Sequence, residues 1–595
     1  MMKQTLTAVW RQTHEFKRHW VSYLTLFVSV DLLIQLIWIP IFRAVTTLVL
    51  QAAEIPFISY QNVLMIARHH PLVMVALLAE LACLLLVVYV QFAAVLLGVR
   101  DISREIISVR VLLRELGQAL RRLRPGSLLV LAIYFILVIP FADLVYRTPL
   151  LAKVQVPQFI LDYLTRNALL LTATVVLYGI LVFLGLRLIW TLPLMVYQRQ
   201  RLRPALRQSW RQTRGRSCWA LAMQLLTIGL LAALVMAGFY VLVIGAQWLA
   251  DFLPQPMAAL LANVNLLVIQ LGSELVTSWT GMVTVSLLFL APGEHTPAAS
   301  PRVATRGQRV VVGLAFAALI ATAAVGNSLY LSDSQYHHPV TISHRGVAEQ
   351  NGVQNTIPAL KRTHRLHPDY VELDVHETKD RQFVVLHDEN LKALAGVDRT
   401  PRQLTLKQLT QLTVRENGHR AKLASFSDYL RTANRLHQKL LVEIKPSPAD
   451  SPDMVDRFVA RYGDDLVKHH ALVHSLDYGV VEAVKRRDPR QTVLYIQPYN
   501  FTYPNTAANG YSMEYSTLTT DFITLAHLQG KRVYAWTVND PSVMMQMMYK
   551  NADGIITDNL AELNREIADY EEHRSYARRL LNYILVVPTA TEFTP

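Results

Sequence analysis

Residues 371–388 read VELDVHETKDRQFVVLHD and hold two β-rich runs, 371–375 and 383–387, separated by a turn of about seven residues. A parallel crossover needs about a dozen residues or more, so the two runs are predicted to form an antiparallel hairpin. Further strand candidates alternate with helical stretches and begin near Thr341, Leu440, Leu472, Val493, Tyr511, Val533 and Gly554. Without the second hairpin strand eight strands remain. Eight strands separated by helices over about 250 residues predict a (β/α)₈ TIM barrel, an α/β fold.

Polar residues stand where these strands end. Strand positions i and i+2 share a face, so Glu372 and Asp374 point together, as do Glu443 and Lys445. In a (β/α)₈ barrel the C-terminal strand ends meet at one mouth, which carries the active site. Three carboxylates converging there predict a site for a hard divalent cation, Ca²⁺ or Mg²⁺, held by Glu372, Asp374 and Glu443.

The same mouth is predicted to hold two histidines and two cations. His344 ends the first strand and His387 ends the hairpin, and two histidines can act as general acid and base. Arg345 and Lys445 can bind a phosphate. Each residue alone would be an ordinary strand-end residue. Together they are hard to explain as structure, because buried like charges repel and need a compensating cation.

The first half of the chain has a different composition. Over the whole chain 52% of the 595 residues are hydrophobic and only 17% are charged, which is typical of a membrane protein. Seven segments are long and apolar enough to span a bilayer. They run from Val21 to Ile39, Leu72 to Val99, Leu128 to Tyr146, Ala168 to Tyr197, Trp219 to Leu249, Ala258 to Leu290, and Val310 to Leu331. We therefore predict a polytopic membrane domain over residues 1–335 and a catalytic domain over residues 336–595.

Basic residues alternate between the loops of the membrane half. Residues 1–19, 100–124, 199–216 and 302–309 together carry 21 Lys and Arg, whereas the three intervening loops carry 5. The positive-inside rule places the N-terminus in the cytoplasm, and seven spans then place the catalytic domain outside the cell membrane. This distribution also explains the net charge of +14 without nucleic-acid binding.

Five ionisable residues fall within the predicted spans, namely Asp31, Glu80, Asp143, Arg187 and Glu274. Such residues are costly in hydrocarbon and face the interior of a helix bundle. They indicate either a lipid or ion pathway or pairing within the bundle, and the sequence leaves both readings open.

The C-terminal half resembles the glycerophosphodiester phosphodiesterase family over roughly two-fifths of the chain. The motifs that carry the resemblance are His344-Arg345-Gly346, Asn355-Thr356, Glu372-Leu373-Asp374-Val375, Val385-Leu386-His387-Asp388, Glu443-Ile444-Lys445, Ala535-Trp536-Thr537-Val538-Asn539 and Asp553-Gly554-Ile555-Ile556-Thr557-Asp558. The N-terminal half resembles, by architecture, the membrane domain fused to such enzymes in Gram-positive bacteria.

The resemblance implies a role for each candidate. His344 and His387 would be the acid/base pair, and Glu372, Asp374 and Glu443 would ligate the cation. Arg345 and Lys445 would contact the phosphate, and Trp536 would pack against glycerol carbons. One position departs from the family pattern, since Gln354 stands where the family usually has Glu before Asn-Thr.

The sequence therefore predicts a membrane-bound, metal-dependent glycerophosphodiester phosphodiesterase acting at the outer face of the membrane. Its expected partners are a glycerophosphodiester, either soluble or carried by lipoteichoic acid or a lysolipid, and the membrane lipids. The alternative is a lipid-handling or transport protein whose barrel only binds phosphodiesters. The sequence leaves open the oligomeric state and whether attack comes from water or from the substrate's own glycerol hydroxyl.

Overall fold

The structure, a computed structural model, describes residues 2–58, 62–145, 150, 156–165, 167–290, 305–332, 337–499, 503–572 and 575–586, apart from the side chains of 125 and 138–145. The described part of the N-terminal half is helical. Its α-helices are Met2–Leu33, Ile39–Gln51, Val63–His69, Pro71–Ser103, Val109–Leu120, Leu128–Val145, Gln158–Thr165, Ala168–Leu188, Thr191–Tyr197, Leu202–Gln212, Arg216–Ala250, Gln255–Leu288 and Arg306–Leu331. A π-helical segment, Ile34–Trp38, joins the first two α-helices into one continuous helical stretch, Met2–Gln51.

Six helical stretches in the described residues are long and apolar enough to cross a membrane, which confirms a multi-pass membrane protein. They coincide with six of the seven predicted spans. The remaining prediction, Leu128 to Tyr146, falls on the helix Leu128–Val145, whose side chains are described only as far as Leu137. Tyr146, like Arg147, Lys153, Arg166 and Arg302 of the loops, lies outside the described residues.

Three of the ionisable residues within the spans have partners in the bundle. Gln35 donates to Asp31 over 2.8 Å, and Thr46 donates to Glu80 over 2.6 Å. The Arg187 guanidinium donates to the carbonyl oxygen of Trp210 and lies 4.1 Å from the centre of that indole ring. These contacts favour internal pairing over a pathway for these three residues. The side chain of Asp143 lies outside the described residues.

The C-terminal half contains the predicted barrel. Its strands are β1 (Val340–Ser343), β2 (Tyr370–Glu377), β3 (Phe383–Val385), β4 (Thr413–Glu416), β5 (His419–Lys422), β6 (Ala424–Ser425), β7 (Lys439–Ile444), β8 (Leu472–Ser475), β9 (Val493–Gln497), β10 (Gly510–Glu514), β11 (Arg532–Trp536) and β12 (Gly554–Thr557). Eight parallel strands, β1, β2 and β7 to β12, close into a barrel because β1 pairs with both β2 and β12. The predicted hairpin is confirmed, since β3 runs antiparallel to β2.

Successive side chains of a strand point to opposite faces of the sheet, and this separates core residues from site residues. Val371, Leu373 and Val375 of β2 are buried in the layer between the sheet and the surrounding helices. Glu372 and Asp374 therefore point into the barrel. The helices are Ile357–Thr363, Lys392–Ala395, Leu406–Gln411, Phe426–Arg435, Met454–Lys468, Tyr478–Arg487, Thr520–Leu528, Pro541–Tyr549, Leu560–Glu572 and Tyr576–Val586.

The two halves interlock. Phe57, from the loop after the first span, is 4% exposed and packs against Tyr478 and Tyr495 of the barrel. In the other direction, the last helix, Tyr576–Val586, packs against the spans, and the amide of Gln270 donates to the Tyr583 hydroxyl over 2.9 Å. The sequence did not predict either of these packing contacts, because each joins residues more than 300 positions apart.

Candidate active site

Three neighbouring strands bring polar side chains into one layer of the barrel. In the parallel register, Asp374 of β2 lies opposite Glu443 of β7, and Glu443 lies opposite His474 of β8. Glu372 is two positions earlier on β2 and so points to the same side as Asp374. All four residues are buried. The three carboxylates predicted from the sequence therefore lie on neighbouring strands of one layer, but the ligand atoms that lie within 4.8 Å of one another belong to Glu372, Glu443 and His474, a histidine that was not predicted.

The carboxylates are held by different neighbours. Glu372 accepts a hydrogen bond from the backbone N–H of Arg345 over 2.7 Å, and Asp374 accepts one from the Asn355 side chain over 2.8 Å. Lys445 Nζ lies 3.2 Å from Glu443 Oε1 and 3.5 Å from Asp374 Oδ1.

The charges of this cluster are not balanced evenly. Burial, and then the charges of Asp374 and Glu443, raise the pKa of Glu372. Burial alone would raise the pKa of Asp374 as well, but Lys445, His387 and Arg345 lower it. Asp374 Oδ1 is also buried without a hydrogen-bond partner among the described residues. A buried carboxylate cluster that is short of positive charge, with one oxygen that accepts no hydrogen bond, fits a divalent cation.

Each predicted catalytic histidine is oriented by its own carboxylate. His344 Nδ1 lies 2.9 Å from Asp558 Oδ1, and His387 Nδ1 lies 2.9 Å from Asp388 Oδ1. His344 follows β1, and His387 lies two residues beyond β3. With both Nδ1 atoms engaged, each ring has its Nε2 atom left for proton transfer.

The surroundings shift the pKa values of the two histidines in opposite directions. Burial lowers the pKa of His344, but Asp558 more than offsets it, so that the net pKa is raised above its ordinary value. Burial also lowers the pKa of His387, and Asp388 offsets only part of this, so that the net pKa is lowered. A pair whose pKa values are moved apart suits one group that donates a proton and one that accepts it.

Gln354 has a structural role that the sequence alone did not reveal. Its side-chain oxygen accepts from Arg345 Nη1 over 2.8 Å, and its side-chain nitrogen donates to Glu416 Oε1 over 2.7 Å. The backbone N–H of Gln354 donates to the other oxygen of Glu416 over 2.8 Å. The Gln354 side chain thus positions the Arg345 guanidinium. The carboxylate of Glu416 on β4 in turn holds Gln354.

Trp536 ends β11 and is half-buried at the mouth. Its ring centre lies 5.9 Å from that of Phe159, which belongs to the short helix Gln158–Thr165 between two spans of the membrane half. The neighbouring backbone N–H of Gln158 donates to the Ser516 hydroxyl over 3.1 Å. The membrane half therefore contributes part of the wall at the mouth of the barrel.

The sequence did not assign a role to several residues of the site, among them Asp388, which was quoted within a motif and orients His387. Asp558 was quoted within a motif without a role, and its contact with His344 joins residues 214 positions apart. Glu416 belongs to a hairpin that was not predicted. The His474 signal was present, because His474 is one residue from the end of a predicted strand.

Comparisons with known proteins cover both halves. Residues 9–323 match the family described as the membrane domain of glycerophosphoryl diester phosphodiesterase, and residues 344–562 match the glycerophosphoryl diester phosphodiesterase family. A putative glycerophosphodiester phosphodiesterase of Bacillus subtilis is 26% identical over 230 residues, which are 36% of this chain and 93% of the relative. Human lysophospholipase D GDPD1 is 51% identical over 57 residues, 10% of this chain and 18% of that protein.

Solved structures align with the C-terminal half. A putative glycerophosphoryl diester phosphodiesterase from Silicibacter pomeroyi is 21% identical, with 41% of this chain and 98% of that chain covered and a TM-score of 0.36. A phosphodiesterase from Oleispira antarctica, in complex with the product sn-glycerol-3-phosphate, is 19% identical, with 39% and 97% covered and a TM-score of 0.35.

Proposed function

This chain belongs to the glycerophosphoryl diester phosphodiesterase family and is a membrane-bound phosphodiesterase, and we propose that it hydrolyses glycerophosphodiesters with a divalent cation at the outer face of the membrane. One observation carries the proposal. Two carboxylate-oriented histidines, His344 and His387, and a buried carboxylate cluster share the mouth of one barrel. Binding alone needs no proton-transfer pair, so this arrangement favours catalysis over the alternative of a lipid-handling or transport protein.

The proposed mechanism assigns the protons from geometry and charge. His387, whose lowered pKa keeps it neutral, takes a proton from the attacking oxygen, of water or of the substrate's own glycerol hydroxyl, as that oxygen forms its bond to phosphorus. His344, whose raised pKa keeps it protonated, gives its proton to the alkoxide that leaves as the second P–O bond breaks. Asp558 and Asp388 hold the two rings in position.

Substrate binding is assigned to the groups around this pair. Arg345 and Lys445 contact the phosphate, and Trp536 packs against the glycerol carbons. Glu372, Asp374 and Glu443 would hold the divalent cation, which when bound supplies positive charge to the phosphate oxygens. Gln354, which stands where the family usually has Glu, accepts a hydrogen bond from the Arg345 guanidinium. The substitution therefore keeps a side-chain oxygen that holds Arg345 in place.

The proposed orientation rests on two opposite faces of the membrane half. Segments predicted outside contact the barrel: Arg43 pairs with Asp521, and Asp251 accepts from Ser575 over 2.7 Å. Segments predicted inside contact each other, since Arg18 pairs with Glu105 over 2.8 Å. These contacts with the C-terminal half thus come from segments predicted outside, and the positive-inside rule assigns the barrel to the outer side.

The contacts of the membrane half with the mouth of the barrel support a membrane-linked substrate. Ser516 and Trp536, which touch the membrane half, both lie at C-terminal strand ends, so the mouth of the barrel faces the bilayer. We therefore assign the substrate to glycerophosphodiesters that carry a lipid anchor, either lipoteichoic acid or a lysolipid. Phe159, 41% exposed and next to Trp536, is placed to contact the substrate as it enters from the membrane side.

The test is a point variant in the full-length chain, because Phe57 is buried in the barrel and a barrel without the membrane half would lose it. Phe159→Ala should lower kcat/KM on a lysolipid in vesicles about tenfold, the loss of one aromatic contact, and on soluble glycerophosphocholine less than about threefold. Phe252→Ala is the matched control, since Phe252 is 75% exposed, at the end of a helix that faces the same side. Equal losses on both substrates would contradict delivery from the membrane.

A further inference from the structure

We propose that His474 is a direct ligand of the cation, beside Glu372 and Glu443, so that the site offers nitrogen as well as oxygen. This inference rests on the proposed function, because it concerns the cation assigned there. A nitrogen ligand changes the expected metal preference of the site, because three carboxylates alone would offer only oxygen ligands.

Geometry places the imidazole among the carboxylates. One ligand atom each of Glu372, Glu443 and His474 can be chosen so that all three lie within 4.8 Å of one another. His474 Nε2 is 3.7 Å from Glu372 Oε1, too far for a hydrogen bond. Metal–ligand bonds of about 2.0–2.2 Å allow two ligand atoms to lie up to about 4.4 Å apart, so the 3.7 Å between His474 Nε2 and Glu372 Oε1 is compatible with one shared ion.

The histidine lacks the contacts of an ordinary core residue. It is 3% exposed, and neither ring nitrogen has a hydrogen-bond partner among the described residues. Leaving a buried polar group unpaired costs about 1–3 kcal/mol. His376, another buried histidine of the barrel, shows the usual arrangement, because its Nε2 lies 3.1 Å from the carbonyl oxygen of His387. One of the two unpaired nitrogens of His474 gains a partner if it binds an ion.

The ligand set predicts which cations bind well. Imidazole suits transition ions, whereas carboxylates and water suit Ca²⁺ and Mg²⁺. With His474 in the first coordination sphere, Mn²⁺ or Zn²⁺ should bind more tightly than Ca²⁺. Asp374 Oδ2 accepts from Asn355, and Asp374 Oδ1 lies 3.5 Å from Lys445 Nζ without a hydrogen bond, so Oδ1 is the oxygen that would remain for the ion.

The experiment uses full-length protein in detergent, stripped with a chelator and reloaded with Mn²⁺. Electron spin echo envelope modulation detects a directly bound imidazole nitrogen, and elemental analysis gives the number of ions bound. We expect one bound Mn²⁺ with nitrogen modulation in the wild type. In His474→Gln the modulation should disappear and the Mn²⁺ affinity should fall at least about tenfold. His527→Gln is the matched control, since that histidine pairs with Asp553 at the N-terminal end of the strands.

The outcomes separate this inference from the proposed function. Mn²⁺ bound without nitrogen modulation in the wild type, or with modulation that persists in His474→Gln, overturns the ligand assignment and leaves the carboxylate site standing. No bound Mn²⁺, together with full activity after chelation, overturns both. Absence of nitrogen modulation in the wild type overturns the inference even if the His474→Gln variant fails to fold.

Discussion

Replacing Asp558 by Asn should weaken the proton donor without removing it. The substitution keeps the size of the side chain but removes the charge that lies 2.9 Å from His344 Nδ1. A hydrogen bond between charged groups contributes roughly 1.5–3 kcal/mol. The Asp558 side chain is 40% exposed, so solvent screens the pair and the lower end of that range applies. Since about 1.4 kcal/mol is a factor of ten in rate, kcat/KM should fall about tenfold.

The pH dependence should change in a defined direction. Asp558 raises the pKa of His344, so without the carboxylate that pKa falls. A general acid acts only while protonated, and activity is lost as the pH rises through its pKa. The alkaline limb of the kcat/KM profile should therefore move to lower pH in Asp558→Asn, while the acid limb stays in place.

The assay is hydrolysis of soluble glycerophosphocholine by the full-length protein across the pH range. Asp553→Asn is the matched control, because Asp553 makes an equivalent contact of 2.8 Å with His527 at the opposite end of the barrel. The control should leave both limbs unchanged. A wild-type rate and an unmoved alkaline limb in Asp558→Asn would refute the assignment of His344 as the proton donor.

His344→Ala and His387→Ala should each lower kcat about 10²-fold or more with folding retained, which circular dichroism checks, and a wild-type rate removes that residue from the mechanism. Exhaustive chelation should abolish turnover and a divalent cation should restore it; activity that survives chelation contradicts the cation site. Protease added to intact, wall-stripped cells should digest the chain after Leu331, and full protection of that part contradicts the outer location.

The barrel was predictable because its signals are local. A turn of about seven residues cannot hold a parallel crossover, so the hairpin at residues 371–388 followed from length alone. Alternation then fixed which side chains of β2 face inward, and Glu372 and Asp374 do so. The long apolar runs of the first half were equally readable, since a spanning helix needs about 20 apolar residues.

What the sequence could not supply are contacts between distant segments. Phe159 and Trp536 lie 377 positions apart, yet their rings meet at the mouth of the barrel. Glu416 and Gln354 meet through the short hairpin β4–β5, whose exposed, polar strands carry no strong hydrophobic alternation. His474 required knowledge of the register between β7 and β8, which sets it beside Glu443. Roles that depend on packing or register of this kind become visible only in three dimensions.

The most direct measurement of the central claim is ³¹P NMR of a soluble glycerophosphodiester incubated with the purified full-length protein and a divalent cation. We predict that the diester signal is replaced by that of a phosphomonoester, with a cyclic phosphate between them if the glycerol hydroxyl attacks. The double variant His344→Gln, His387→Gln should leave the diester intact over the same period. A diester that persists with the wild-type protein, or disappears equally fast with the double variant, would contradict catalysis by this histidine pair.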